Sequence, residues 1–179
     1  WRQDIRTLST PTVKRALNVR KGKLDLLAGC PPCQGFSTLV TKNGCYFVDD
    51  PRNSLIYEFL RFVEDFMPSA VLMENVPDLA RTTRFRRFRK RLEKLGYKCD
   101  YKIMDAADFG VPQRRKRLVF LAGLSNEITF ARTARAQYTV RDAFNSLNTK
   151  RAKSDPLHDT SSKRTEKVQR LIEKVPKDG

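Results

Sequence analysis

Cys33 stands in the segment Gly29-Cys30-Pro31-Pro32-Cys33-Gln34-Gly35-Phe36, a thiol on a loop stiffened by two prolines and flanked by glycines. Proline fixes φ and removes backbone donors, so Pro31 and Pro32 confine Cys33 to a narrow range of positions. A nucleophilic cysteine needs positive neighbours or helix-terminal N–H groups to raise its thiolate fraction above that of a free thiol, whose pKa is about 8.5. With 36 lysines and arginines, the chain has cations to spare. Two other readings stay open on the loop alone. A cysteine after an apolar run can be packed and inert, and Cys30 with Cys33 forms a C-x-x-C pair that suits a dithiol redox centre or half a zinc site. Against zinc, Cys45 and Cys99 supply no second pair and His158 is the sole histidine.

The loop must be held by what precedes it. Residues 24–28 read as a short buried strand, and residues 70–73 as another that runs straight into Glu74-Asn75-Val76-Pro77. In an open sheet, ligands gather beyond the carboxyl ends of the strands, so these two polar clusters are expected to face one crevice. A Glu-Asn pair at such a place also reads as a helix cap or turn. Leu55, Ile56, Phe59, Phe62, Val63 and Phe66 repeat at helical spacing between Pro51 and Pro68, and Phe85, Phe88, Leu92 and Leu95 mark a second helix with Gly96 at its C-terminal cap. Residues 97–105 read as a strand, 106–117 as a loop carrying Gln113-Arg114-Arg115, and 118–121 as a further strand. Strands alternating with helices give an α/β domain with a mostly parallel sheet, the last two strands having the option of antiparallel pairing. Residues 1–14 show no element. Beyond Gly123 the pattern loosens, with short helices expected at 138–147, capped by Thr139, and at 163–174.

The formal charge of +16, from 36 basic against 20 acidic residues, and a pI near 10.1 imply a polyanionic partner, nucleic acid first. A solvated basic surface is the plainer reading, but the charge is clustered. Arg84, Arg86, Arg87, Arg89, Lys90, Arg91 and Lys94 crowd one helix, and Arg114 to Arg117 form a second block. No apolar stretch approaches membrane length, no secretory pattern occurs, and four cysteines fit reduced thiols, so an intracellular setting is expected, cytoplasm or nucleoid if bacterial. Beginning on Trp1, the chain reads as a piece of a longer protein.

Taken in order, Pro31-Pro32-Cys33-Gln34-Gly35-Phe36-Ser37, Asp50-Pro51-Arg52-Asn53-Ser54-Leu55, Glu74-Asn75-Val76 and Gln113-Arg114-Arg115-Lys116-Arg117 resemble the ordered motifs of the DNA (cytosine-5)-methyltransferase family. The resemblance spans about residues 1–145. It implies a Rossmann-like S-adenosylmethionine-dependent fold and transfer of a methyl group to C5 of cytosine in duplex DNA. By resemblance Cys33 adds to C6 of the ring, Glu74 assists at N3 and the exocyclic amine, and Arg115 donates at the C2 carbonyl with Arg117 in support. Asn75 would hold the Glu74 loop in shape. Asp4, Ile5, Pro32 and Leu55 match positions that bind the cofactor, and Gln34 and Ser37 match positions that meet the DNA strand. The target base must be swung out of the stack, at a cost of a few kcal/mol.

Three departures accompany the likeness. No Gly-x-Gly occurs where the family opens its first strand, Cys30 replaces a small residue before the Pro-Cys loop, and no target-recognition domain is evident. Residues 1–145 are therefore read as a partial catalytic domain, lacking its first strand, and 146–179 as a lead-in to a target-recognition region. The segment alone is expected to have little activity. Duplex DNA is the expected partner, with no membrane, no metal and no oligomeric state implied. The alternatives are the related tRNA cytosine-5 methyltransferase, whose Cys-Phe-Thr segment is not evident, and a non-catalytic nucleic-acid-binding fragment of the same fold.

Overall fold

The computed structural model describes residues 2–32, 54–126, 128–134, 136–146 and 164–176, so Cys33, Gln34, Ser37 and residues 50–53 lie outside it. Helix α1 (Thr10–Leu17) precedes strand β1 (Leu26–Gly29), followed by α2 (Leu55–Phe66), β2 (Ala70–Asn75), α3 (Thr83–Lys94), β3 (Lys98–Asp105) and β4 (Lys116–Gly123). Short 3-10 turns, Pro77–Arg81 and Ala106–Phe109, follow β2 and β3. Helices α4 (Val140–Ser146) and α5 (Glu166–Glu173) belong to a second compact unit, Thr139–Gly179, distinct from Trp1–Tyr138. No helix among the described residues is long and apolar enough to cross a membrane.

The strands form one sheet in the order β1-β2-β4-β3. β1 and β2 are parallel, but β4 is antiparallel to both β2 and β3, so the sheet is mixed rather than mostly parallel. The physical reason is the connection. Residues 106–115 are too few for a crossover that returns a parallel strand, and they reverse the chain instead. β1, β2 and β3 still point the same way, with β4 inserted against them.

One face of this sheet carries the core. The alternation in β2 and β4 sends Val71, Met73, Leu118 and Phe120 inward, all fully buried, against Ile56, Phe59 and Val63 of α2 and Phe85, Phe88 and Leu92 of α3. Phe120 meets Phe88 and Phe85 edge-on at 5.2 and 5.8 Å, and each such pair adds about 0.5–1.5 kcal/mol beyond its buried area. The other face is half-open: Leu72, Val119 and Leu121, with Met104 and Phe130, line a cavity of about 620 Å³.

The caps follow their residues. Thr82 accepts the Phe85 N–H at the start of α3, and Gly96, at φ 93°, ends it with Tyr97 N–H donating to Leu92 O and Gly96 N–H to Glu93 O. Thr139 caps α4, its hydroxyl accepting the Asp142 N–H while the Asp142 carboxylate accepts the Thr139 N–H at 2.8 Å. Helix α1 lies where no element was expected. Val13 packs on Phe62 and Phe66, and the buried Thr10 hydroxyl donates to Asp65 of α2.

Two contacts fix how α2 and α3 meet the sheet. A Cβ on Gly29 would lie 2.6 Å from a ring carbon of buried Phe59, so only glycine lets the end of β1 reach α2. Gly29→Ala should lower stability by about 1–3 kcal/mol, read as a lower urea midpoint with an unchanged slope. Tyr97 is buried and donates its hydroxyl to Pro68 O at 2.7 Å, tying the turn after α3 to the start of β2. Burial pushes this hydroxyl up to about 12, and burial with the nearby Glu93 carboxylate pushes the Cys99 thiol up to about 12. Both folded values are raised, so the stability they contribute is intact below their ordinary values and is lost as pH climbs from about 9 towards 12. Tyr97→Phe should cost about 1–3 kcal/mol at pH 8 and flatten the decline above pH 10, checked by urea melts across that range.

Candidate active site

Because β1 and β2 are parallel and in register, Gly29 beside Met73, both deliver their carboxyl ends to the same edge of the sheet. β4, running the other way, begins at that edge, placing Leu118 opposite Asn75 and Val119 opposite Glu74. The result is a cleft of about 190 Å³ shared by Cys30, Pro31, Pro32, Glu74, Asn75, Val76, Arg115 and Arg117. The two polar clusters at the strand ends do face one crevice, and the arginine loop forms its third wall.

Asn75 is the buried polar group of this cleft, 6% exposed. Its Nδ2 donates to Pro31 O at 2.7 Å and its Oδ1 accepts the Val76 N–H at 2.9 Å. An amide buried without partners costs a few kcal/mol, so the side chain is held by the bonds it makes, and it holds the proline loop in return. Glu74 alternates to the opposite face of the sheet. There Arg117 donates from Nε to its Oε1 at 2.7 Å, a diagonal cross-strand pair with both side chains partly exposed. Arg115 lines the cleft with its side chain while its backbone N–H donates to Asp105 Oδ1 at 2.9 Å.

Two residues not picked out by sequence as part of the site belong to it. Asp105, at the end of β3, also accepts the Ala107 N–H at 3.3 Å and so pins both ends of the loop that carries Arg115. These backbone donors, Arg115 foremost, hold its carboxyl below the usual range. The signal was an acid at a strand end directly before a turn, a natural acceptor for orphan N–H groups. Cys30 lies within reach of Glu74. Desolvation, and then the Glu74 carboxylate, push its thiol up, leaving it protonated at neutral pH.

Beside the cleft is an apolar pocket of about 280 Å³ lined by Ile5, Pro32 and Leu55 together with Leu27, Phe59 and Phe62. Three of the four expected cofactor residues are thus neighbours. The fourth, Asp4, has its carboxylate engaged by Arg6, whose side-chain and backbone N–H groups hold it down to about 2. Cys33, Gln34 and Ser37 fall outside the described residues, and among those described no cluster of three potential metal ligands occurs.

The family model for C-5 cytosine-specific DNA methylase matches residues 2–178. The chain belongs to that family. It is 45% identical over 147 residues to Type II methyltransferase M1.HphI of Haemophilus parahaemolyticus, covering 79% of this chain and 38% of that protein. It is 38% identical to Type II methyltransferase M.AgeI of Thalassovita gelatinovora, covering 69% and 28%. The chain therefore spans less than half the length of these relatives. Among solved structures, a protein described as a DNA modification methyltransferase encoded within an Escherichia coli prophage superposes with a TM-score of 0.61 at 29% identity, over 79% of this chain and 40% of that one. A DNMT2 of Spodoptera frugiperda, at 24% identity and TM-score 0.54 over 78% and 40%, shares the fold. The α/β methyltransferase architecture expected from the motifs is the one found.

Asp105 gives the site a pH limit. Its folded pKa is depressed, so the stability it contributes is present above the ordinary carboxylate value near 3.8 and drains away as pH falls through the lower folded value. Asp105→Asn should flatten the acid limb of a stability profile below about pH 4, measured by thermal melts, because an amide oxygen still accepts but carries no charge.

Proposed function

We propose that this chain forms the core of a DNA (cytosine-5)-methyltransferase of the Type II restriction-modification kind, in which residues 1–145 act as a partial catalytic domain. The observation that carries the reading is the shared cleft, where Cys30, Pro31 and Pro32, immediately before Cys33, stand with Glu74, Asn75, Arg115 and Arg117.

The pocket of Ile5, Leu55 and Phe59 has the apolar lining an adenine requires, and Asp4, next to Ile5 in sequence and held by Arg6, matches with it the Asp-Ile pair that meets the adenine. This donor set fits the adenosine part of S-adenosylmethionine. When bound, S-adenosylmethionine supplies an electrophilic methyl group. The chain's own residues prepare the base. Cys33 thiolate adds to C6 of a cytosine swung out of the duplex, forming an S–C6 bond and pushing electron density towards C5, N3 and the C2 oxygen. Glu74, oriented by Arg117, offsets the charge at N3, and Arg115, its backbone pinned by Asp105, donates at the C2 oxygen. Asn75 holds the carbonyl of Pro31, two residues before Cys33 in sequence. Gln34 and Ser37 would meet the DNA strand.

In the full-length protein, duplex DNA carrying 5-fluorocytosine should trap a covalent adduct that Cys33→Ala abolishes. Glu74→Gln should slow methyl transfer about 10²–10⁴-fold while duplex binding, followed by fluorescence anisotropy, stays near wild type. An adduct that persists in Cys33→Ala, or a labelled methyl group accepted by transfer RNA in preference to duplex DNA, would overturn the reading.

A further inference from the structure

Helix α3 separates apolar and charged residues onto two faces. Its inner face, Phe85, Phe88 and Leu92, is buried in the core, and its outer face carries seven cations against the single acid Glu93. Arg89 is paired with Glu93 at 2.7 Å, and Arg91 reaches Glu64 of α2. Among the described residues, Arg86, Arg87, Lys90 and Lys94 are exposed and pair with no carboxylate.

Their spacing makes this costly. Arg86, Lys90 and Lys94 form an i, i+4, i+8 row and Arg87 stands four residues from Arg91, so like charges face each other along the helix. Each such pair destabilises an isolated helix by about 0.2–0.5 kcal/mol, and no acid occupies the first turn to complement the helix dipole. A solvated face for solubility would intersperse both signs. A face of one sign is relieved by an external polyanion.

We propose that the outer face of α3 is a second contact surface for the phosphate backbone of duplex DNA, separate from the cleft that takes the target base. This rests on the duplex-DNA reading above. The Arg86–Lys94 row rises about 12 Å, the axial span of roughly three phosphates on one strand. Beside it a groove of about 220 Å³ is lined by Arg86, Arg89, Lys90 and the ring of Tyr101, which Arg89 overlies at 6.0 Å. Glu93 on the rim is already occupied by Arg89, so the groove presents positive charge. Such contacts position a protein without reading sequence.

The test compares two quadruple variants of the full-length protein: Arg86→Gln, Arg87→Gln, Lys90→Gln and Lys94→Gln on α3, and Arg15→Gln, Arg20→Gln, Lys21→Gln and Lys23→Gln as an equal charge change elsewhere. Anisotropy of a labelled duplex without a cytosine target is followed from 50 to 200 mM salt, with melts confirming that both variants fold. The α3 variant should lose about tenfold or more in affinity, and its log–log salt slope should fall by about 2–3, since each lost phosphate contact is worth about 0.9. The other variant should keep a steeper slope. Equal losses in both, an unchanged slope in the α3 variant, or a loss seen only with transfer RNA would overturn the proposal. Trapping on 5-fluorocytosine DNA at saturating duplex should be unchanged in the α3 variant. If trapping fails in the unaltered protein, the catalytic reading falls while the anisotropy still decides the surface.

Discussion

One buried amide joins the two strand ends that form the cleft. Asn75 bonds the carbonyl of Pro31 with its Nδ2 and the Val76 N–H with its Oδ1, so the end of β1 and the turn after β2 are joined through a single side chain. Backbone pairing of β1 and β2 sets the distance between the strands, but it ends at Gly29 and Met73. Past that point, among the described residues, proline stiffness and this bond direct Pro31 and Pro32. Proline narrows the shapes available, and the amide selects among them. Because the amide is buried, breaking the bond strands polar groups away from water, which makes the arrangement stiffer than the bond's net worth of about 1 kcal/mol would suggest.

Around that bond the charged groups are arranged by sheet face. Asn75 turns to the side packed by helices, and Glu74, one residue earlier, must turn to the other, where Arg117 meets it. Cys30 shares that face and shares Glu74 as a neighbour, and its thiol is kept protonated there. The first thiol of the C-x-x-C pair is therefore a neutral group beside an acid.

Much of this was legible in the residues. Leu55 to Phe66 and Thr83 to Lys94 announced themselves by helical spacing, and Gly96 ends α3 for the reason its type implies. The meeting of Glu74-Asn75 with the proline loop followed from where ligands gather on an open sheet. What stayed hidden depended on partners distant in sequence. Helix α1 has few apolar positions of its own, and it is fixed by Val13 entering the Phe62–Phe66 cluster and by Thr10 bonding Asp65. Asp105 was read only as the end of a strand, because its role is to accept an N–H ten residues further on. An acid at a strand end before a turn marks an acceptor, but the donor ten residues on is set by the hairpin.

The mixed sheet, the largest difference from expectation, is what brings the arginines to the acid. A parallel β4 would begin at the opposite edge, leaving Arg115 and Arg117 the length of an eight-residue strand away, roughly 25 Å from Glu74. Reversing β4 puts its amino end where β2 finishes, and the diagonal from Glu74 to Arg117 closes at 2.7 Å. The reversal demands a tight connection from β3, and that connection exposes N–H groups at its turn. Asp105 satisfies them, so the acid that stabilises the hairpin is also the one that fixes Arg115 at the cleft. Sheet topology, loop stability and placement of the guanidinium are three consequences of one short link between β3 and β4.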